Sequence, residues 1–395
     1  MNRIGKRSYR RVFDRGWVLL SAIDLLITVF VLLAVYRNHG LAAAATWSAK
    51  VAVLLLYQQL FMLRNRRRIL SGENLDHLWG TANLITLFRG TLIALLAGFV
   101  LTSKPPGLLA WLPAVLYTLL AGLDYVDGYW ARKTGTGTRL GELLDQEYDG
   151  LGILIAVILV VQWGHLPALF LYIGLAKYAF DGASAWRRSR NRPVHPLPPS
   201  TMRRRLAGFQ MGVLAVFLWP IARMPGTLLA ELIVGVPLAL GFVRDWLITS
   251  GATDPEDPNY LRIRRGVFRI TTTYVPLAAR VALVAAGGLM IMHALRFPAA
   301  AASWLPASTG TSVLLTGIHS ALILLFVLVL ASGQIPSVSA LLLLLLCALP
   351  VFLRGLQFWT AVMVSSALLV YLFGPGPYRL RMRAKAARTG DPASG

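Results

Sequence analysis

Long apolar runs alternate along this chain with short clusters of basic residues, and the runs have the length of a membrane helix. An α-helix rises about 1.5 Å per residue, so about 20 apolar residues cross the hydrocarbon core of a bilayer. The pattern predicts spans over 16–36, 41–63, 83–102, 107–131, 141–163, 166–187, 204–222, 227–247, 274–295, 311–331, 336–353 and 356–374. The fold class expected is therefore an all-α polytopic membrane protein of about 12 spans. An even number of spans places both termini on one side. The basic clusters Arg3–Arg15, Arg64–Arg68, Arg132–Arg139, Arg187–Arg205, Arg262–Arg269 and Arg379–Arg388 all fall on that side, leaving Arg37, Lys104, Arg223, Arg296 and Arg354 on the other. The positive-inside rule makes the first side cytoplasmic. The opening run, Trp17 to Tyr36, is longer than the apolar part of a secretion signal and reads as a retained span.

Composition agrees. With 395 residues of which 56% are hydrophobic, the chain is too apolar for a soluble globule. A net charge of +22 raises the question of nucleic acid, but its basic residues lie between spans and at the termini, where topology accounts for them. No nucleic-acid partner is expected. Cys347 is the only cysteine, so no intramolecular disulfide can form.

Against this apolar background the stretch from Asp124 to Asp149, DYVDGYWARKTGTGTRLGELLDQEYD, stands out. A carboxylate in a membrane helix costs about 2.5–3.5 kcal/mol at the helix centre on insertion scales, and neighbouring carboxylates repel one another. Asp124 and Asp127 are spaced i, i+3 and Asp145 and Asp149 i, i+4, so each pair shares a helix face. Two helix ends can then present one acidic cluster, which requires a cation; hard oxygen donors suit Mg²⁺ or Mn²⁺.

Asp124, Asp127, Gly128, Ala131, Arg132, Gly141, Asp145 and Asp149 fit D-x2-D-G-x2-A-R-x8-G-x3-D-x3-D, and in this the chain resembles the CDP-alcohol phosphotransferase (CDP-alcohol phosphatidyltransferase) family. The resemblance implies a six-helix catalytic core over 64–250, opened by an interfacial helix within Arg64–Gly80, with a two-helix extension over 1–63 before it. A four-helix membrane region with a basic tail, 251–395, would follow; its span count and F-G-P-G-P-Y ending weakly resemble the DoxX-like family. The activity implied is Mg²⁺- or Mn²⁺-dependent transfer of a phosphatidyl group from CDP-diacylglycerol to a polar alcohol, with release of CMP. Asp124, Asp127, Asp145 and Asp149 would hold two metal ions, and Asp149 would also be the general base. The enzyme would work in phospholipid synthesis at the cytoplasmic face of the cytoplasmic membrane, among membrane lipids, as a homodimer through its core helices.

For the CDP-alcohol, Gly128 and Ala131 lack bulk and permit close approach, though small residues also simply pack helices. Arg132 can grip phosphate oxygens in a bidentate manner, or merely anchor a helix end. Thr138 and Gly141 open the next helix, and Thr138 can act as its cap. Asn83, Thr86 and Arg89 recur every three residues as a polar stripe that should not face lipid. The family often has P-N-x-x-T-x-x-R here, whereas this chain has Ala82 in place of the proline.

The acceptor is expected near Lys177, Arg203 and Arg204, cations that would suit a phosphorylated alcohol such as glycerol 3-phosphate or inositol phosphate. Topological bias alone also predicts basic residues there, and Asp181 can pair with Lys177 at i+4. Two other readings remain open: transfer from CDP-choline or CDP-ethanolamine to a lipid alcohol, and a cation-coupled transporter. A transporter predicts acids at mid-bilayer and pseudo-repeated halves, while these acids lie at span ends and the halves show no symmetry. Asp24, Lys50, Glu231, Arg280 and His319 are expected to make helix–helix hydrogen bonds or snorkel.

Overall fold

The computed structural model describes residues 3–71, 75–198, 200–222, 224, 226–296, 310–333, 336–354, 358–374 and 376. Arg223, the Arg379–Arg388 cluster and half of the F-G-P-G-P-Y ending (Pro375, Pro377 and Tyr378) lie outside the described residues. All regular structure among those described is helical. The chain divides into two compact units, Met1–Asp254 and Pro255–Gly395.

The first unit opens with α1 (Arg3–Ile69), which is broken at Gly40. There φ is 79° and ψ 179°, a conformation essentially reserved for glycine. The two halves, Arg11–Arg37 and Gly40–Ile69, are each long and apolar enough to cross a membrane. They run antiparallel, since Arg66 pairs with Asp14 and Gln59 with Asp24. Residues 64–80 form no separate helix among the described residues: α1 continues to Ile69, and Leu75–His77 is one 3-10 turn. Met62, Asn65 and Ile69, spaced i, i+3 and i+7, keep one face of α1 buried through its basic end.

Six further helices complete this unit: α2 (Thr81–Ala97), α3 (Leu112–Thr134), α4 (Arg139–Gln162), α5 (Tyr172–Ser189), α6 (Thr201–Phe217) and α7 (Gly226–Thr249). Of the twelve spans predicted, α3 and α7 join the two halves of α1 as long apolar helices, and α2 is a shorter apolar one. The helices at 141–163, 166–187 and 204–222 form near the positions expected but carry charges in their first or last turns. α2 packs against α1, α3 and α4, and is the most enclosed element, with Ile93, Ala94 and Leu96 fully buried. A Cβ on its Gly90 would stand 2.6 Å from Tyr148 Cζ, so only glycine lets α4 approach this closely. Gly135 ends α3 in the left-handed region at φ 65°, and Thr138 caps α4 three residues later. Short geometry thus fixes the reversal that separates the two aspartate pairs.

In the second unit, α8 (Pro258–Arg269) is capped by Asp257 and passes through a π-helical turn, Ile270–Tyr274, into α9 (Val275–Arg296). Three more helices follow: α10 (Gly310–Ser332), α11 (Pro336–Arg354) and α12 (Phe358–Phe373). Leu283, Leu330, Leu343, Met363 and Val370 are fully buried in its core. The stretch Pro258–Met290 is long and apolar enough to span, and Ile318–Ser332, Val338–Ala348 and Thr360–Phe373 are shorter apolar helices.

The scattered intramembrane polar groups bond between helices. Asp24 accepts from Thr91 at 2.5 Å, Lys50 donates to the Val100 carbonyl at 2.6 Å, and Gln210 donates to Glu231 at 3.0 Å. In the second unit Arg280 Nε donates to the Ala331 carbonyl at 2.7 Å, and His319 Nε2 lies 3.0 Å from that of Leu346.

Candidate active site

Because α2 packs on both α3 and α4, its polar stripe faces the two acidic pairs. Arg89, with no exposed side-chain surface, reaches all four aspartates. Nη2 lies 2.5 Å from Asp124 Oδ1 and 2.7 Å from Asp149 Oδ1; Nη1 lies 2.9 Å from Asp127 Oδ2 and 2.8 Å from Asp145 Oδ1. The planar guanidinium fork suits this geometry, whereas a lysine would offer a single point charge. One cation among four carboxylates leaves three formal negative charges uncompensated. Asp127 is nearly closed off at 6% side-chain exposure, while Asp145 and Asp149 are open at 50% and 43%. The cluster has a sealed side on α2 and an open side on α4.

The spacing of the aspartates predicts a cation among them and points to a metal, whereas the group that the structure puts there is the Arg89 guanidinium of the polar stripe. The missing signal was one of facing, since only the packing of α2 on both α3 and α4 aims the stripe at the acids. A metal nonetheless fits the donor set. One carboxylate oxygen from each of Asp124, Asp127 and Asp145 lies within 4.8 Å of the others. Hard oxygens with this much residual negative charge suit a divalent cation.

The remaining stripe residues support the cluster from behind. Thr86 donates to Asp127 Oδ2 at 2.9 Å and to its own helix at Ala82. Asn83 donates to Thr138 Oγ1 at 2.7 Å and to the Leu78 carbonyl at 2.9 Å, and Thr138 in turn accepts from the Gly141 amide at 3.1 Å. These contacts tie the start of α2 to the start of α4. Gly141 is part of the fit: an added Cβ would stand 2.6 Å from Asn83 Oδ1. Gly141→Ala is therefore expected to cost about 1–3 kcal/mol by overpacking. It should lower the thermal midpoint in detergent; an unchanged midpoint would show that Asn83 swings aside freely.

On α3, Gly128 and Ala131 lie at the last turns, and the exposed Arg132 folds back so that a Cβ on Gly128 would meet its Nη1 at 3.0 Å. The residues expected around the acceptor lie elsewhere. Lys177 and Arg203 border a cavity of about 480 Å³ between α1, α4, α5, α6 and α7, none of whose lining residues is one of the four aspartates. Lys177 is 3.4 Å from both Glu147 and Asp181, and Arg203 is 2.7 Å from Asp245. Arg204 is exposed and does not line the cavity. Sequence reasoning passed over Glu147, which sits between Asp145 and Asp149 in the chain and accepts from Tyr57 Oη of α1 at 2.7 Å.

Comparison with known proteins concerns this same region. Residues 79–243 match the family described as CDP-alcohol phosphatidyltransferase. The CDP-diacylglycerol–glycerol-3-phosphate 3-phosphatidyltransferase of Pectobacterium atrosepticum is 35% identical over 85 residues, covering 21% of this chain and 44% of the relative. Its namesakes in Salmonella typhimurium and in Escherichia coli K12 are each 36% identical over 93 residues, covering 22% of this chain and 48% of the relative. The chain thus spans about half the length of the curated relatives it matches. No solved structure matches.

Proposed function

We propose, from a core segment that matches the CDP-alcohol phosphatidyltransferase family, that this membrane protein transfers a phosphatidyl group from CDP-diacylglycerol to the hydroxyl of a small, phosphorylated alcohol and releases CMP. The observation that carries the reading is the meeting of Asp124, Asp127, Asp145 and Asp149 at one point, on two helices held apart by α2. Relatives named for transfer to glycerol 3-phosphate support the choice of acceptor.

In the reaction the acceptor oxygen forms a bond to the phosphorus that carries the diacylglycerol, and the bond from that phosphorus to the CMP oxygen breaks. Asp149, the last acid of the motif and open to solvent, takes the proton of the acceptor hydroxyl. Arg89 holds the four carboxylates in register and moderates their mutual repulsion. Asn83, Thr138 and Gly141 fix the helix starts against which the nucleotide lies and Thr86 steadies Asp127 beside it, while Gly128, Ala131 and Arg132 flank it from α3. Asp124, Asp127, Asp145 and Asp149 would hold Mg²⁺ or Mn²⁺, as two ions, whose positive charge would offset the negative charge of the pyrophosphate.

The test is to incubate the full chain with Mg²⁺, CDP-diacylglycerol and a panel of alcohols while measuring CMP. Release that depends on both Mg²⁺ and a phosphorylated alcohol is the expected outcome, and no release with any alcohol defeats the reading. A chain ended after Asp254 is expected to retain that release, since the boundary between units falls in a polar, proline-bearing loop and every motif residue precedes it. A shortened protein that stays monodisperse and binds Mn²⁺ but turns nothing over would tie the second unit to catalysis.

A further inference from the structure

The cavity of about 480 Å³ is walled in part by Phe61, Asn65 and Arg68 of α1, which precede the segment matched to the family. Its size is that of a small-molecule site. Its charges are balanced but unequally placed. Three cations, Arg68, Lys177 and Arg203, face three carboxylates, Glu147, Asp181 and Asp245. Lys177 is shared between Glu147 and Asp181, and Arg203 is held by Asp245, so each carboxylate already has a cation. Arg68 lines the cavity, is exposed, and has no carboxylate within ion-pair distance among the described residues. Its neighbour Arg66 pairs with Asp14 instead.

From this arrangement we propose that Arg68 binds the anionic group of the acceptor, which makes the N-terminal helix pair part of the acceptor site. The proposal rests on the transfer reading above for the name of the ligand, but the cavity and its charges stand apart from it. A phosphate monoester is the chemistry that fits: the guanidinium can take two of its oxygens at once, and a neutral alcohol would leave Arg68 unanswered. Glu147 and Gln146 offer hydrogen-bond partners to the hydroxyl groups of the same molecule. Both lie on the turn of α4 between Asp145 and Asp149, so this wall of the cavity belongs to the helix that carries two of the four aspartates. Tyr57 and Lys177 hold Glu147 from α1 and α5, fixing that wall.

The experiment measures equilibrium binding of sn-glycerol 3-phosphate and of glycerol to the full chain in lipid nanodiscs without donor, for wild type, Arg68→Gln and Arg68→Lys. Arg68→Gln is expected to weaken glycerol 3-phosphate binding about tenfold or more, the effect of losing a charge-assisted bidentate contact, and to leave glycerol unchanged. Arg68→Lys should retain part of the affinity. The proposal is overturned if Arg68→Gln binds glycerol 3-phosphate as wild type does, if it loses both ligands equally, or if wild type binds neither. CMP release on the same samples separates the two readings. Binding that depends on Arg68 without turnover defeats the transfer reading alone. Turnover with an acceptor KM unmoved by Arg68→Gln defeats the placement of Arg68 alone.

Discussion

Asp149→Asn is expected to slow CMP release by at least about a hundredfold, at the lower end of what general base catalysis supplies. The amide keeps the size of the carboxylate and one oxygen, so the fold around Arg89 should persist, but it cannot accept the acceptor's proton. Asp149 is 43% exposed and therefore reachable by substrate, unlike Asp127. Mn²⁺ titration of the same variant guards the interpretation. The carboxylate oxygens that lie within 4.8 Å of one another belong to Asp124, Asp127 and Asp145, and the amide keeps one oxygen at 149, so metal binding should survive the change better than turnover. Activity within about tenfold of wild type, below the usual contribution of a general base, would remove Asp149 from that role.

Arg89→Met should have the largest effect on the protein itself. Methionine keeps much of the length and the apolar stem but removes the guanidinium, leaving four carboxylates with no internal cation. Breaking a buried charge pair by removing one partner typically costs about 3–5 kcal/mol, and here a single partner serves four groups. The loss should appear as a lower thermal midpoint in metal-free detergent solution. It should be partly restored by Mn²⁺, because an ion that binds the folded state draws the equilibrium toward it. The rise in midpoint on adding Mn²⁺ is expected to be larger in Arg89→Met than in wild type. Equal midpoints without metal would mean that the aspartates are held in place by something other than Arg89.

The sequence made much of this legible, because its strongest signals are periodic. Twelve apolar runs map onto helices, and the i, i+3 and i, i+4 spacings placed each aspartate pair on one face. The motif also marked the segment that matches the family. What could not be read depends on which helix lies against which. Arg89 was visible as part of a stripe, but spacing along α2 does not say what the stripe meets. The basic stretch after residue 63 suggested an interfacial helix, yet Met62 and Ile69 bury one face and carry α1 on without a break. Lys177 and Arg203 stand out by charge and by position, Lys177 within an apolar run and Arg203 at the start of another. The Lys177–Asp181 pair follows from its i, i+4 spacing, but the pairing of Lys177 with Glu147 and of Arg203 with Asp245 depends on contacts of α4 with α5 and of α6 with α7 that spacing does not encode.

The position of Arg89 also bears on how the chain is made. Synthesis proceeds from the N-terminus, so α1 and α2 are available to the bilayer before α3 and α4 emerge from the ribosome. The arginine precedes its acids in the chain and bears an insertion cost of its own until they arrive. When Asp124 and Asp127 arrive they meet a counter-charge already in place, and after the turn at Gly135 so do Asp145 and Asp149. With the order reversed, the four carboxylates would emerge before their counter-charge, each bearing an insertion cost that only its place toward a helix end reduces. The order of the helices thus sets the shared counter-charge ahead of the four groups that it pairs with, so that each later acidic pair has a partner to meet.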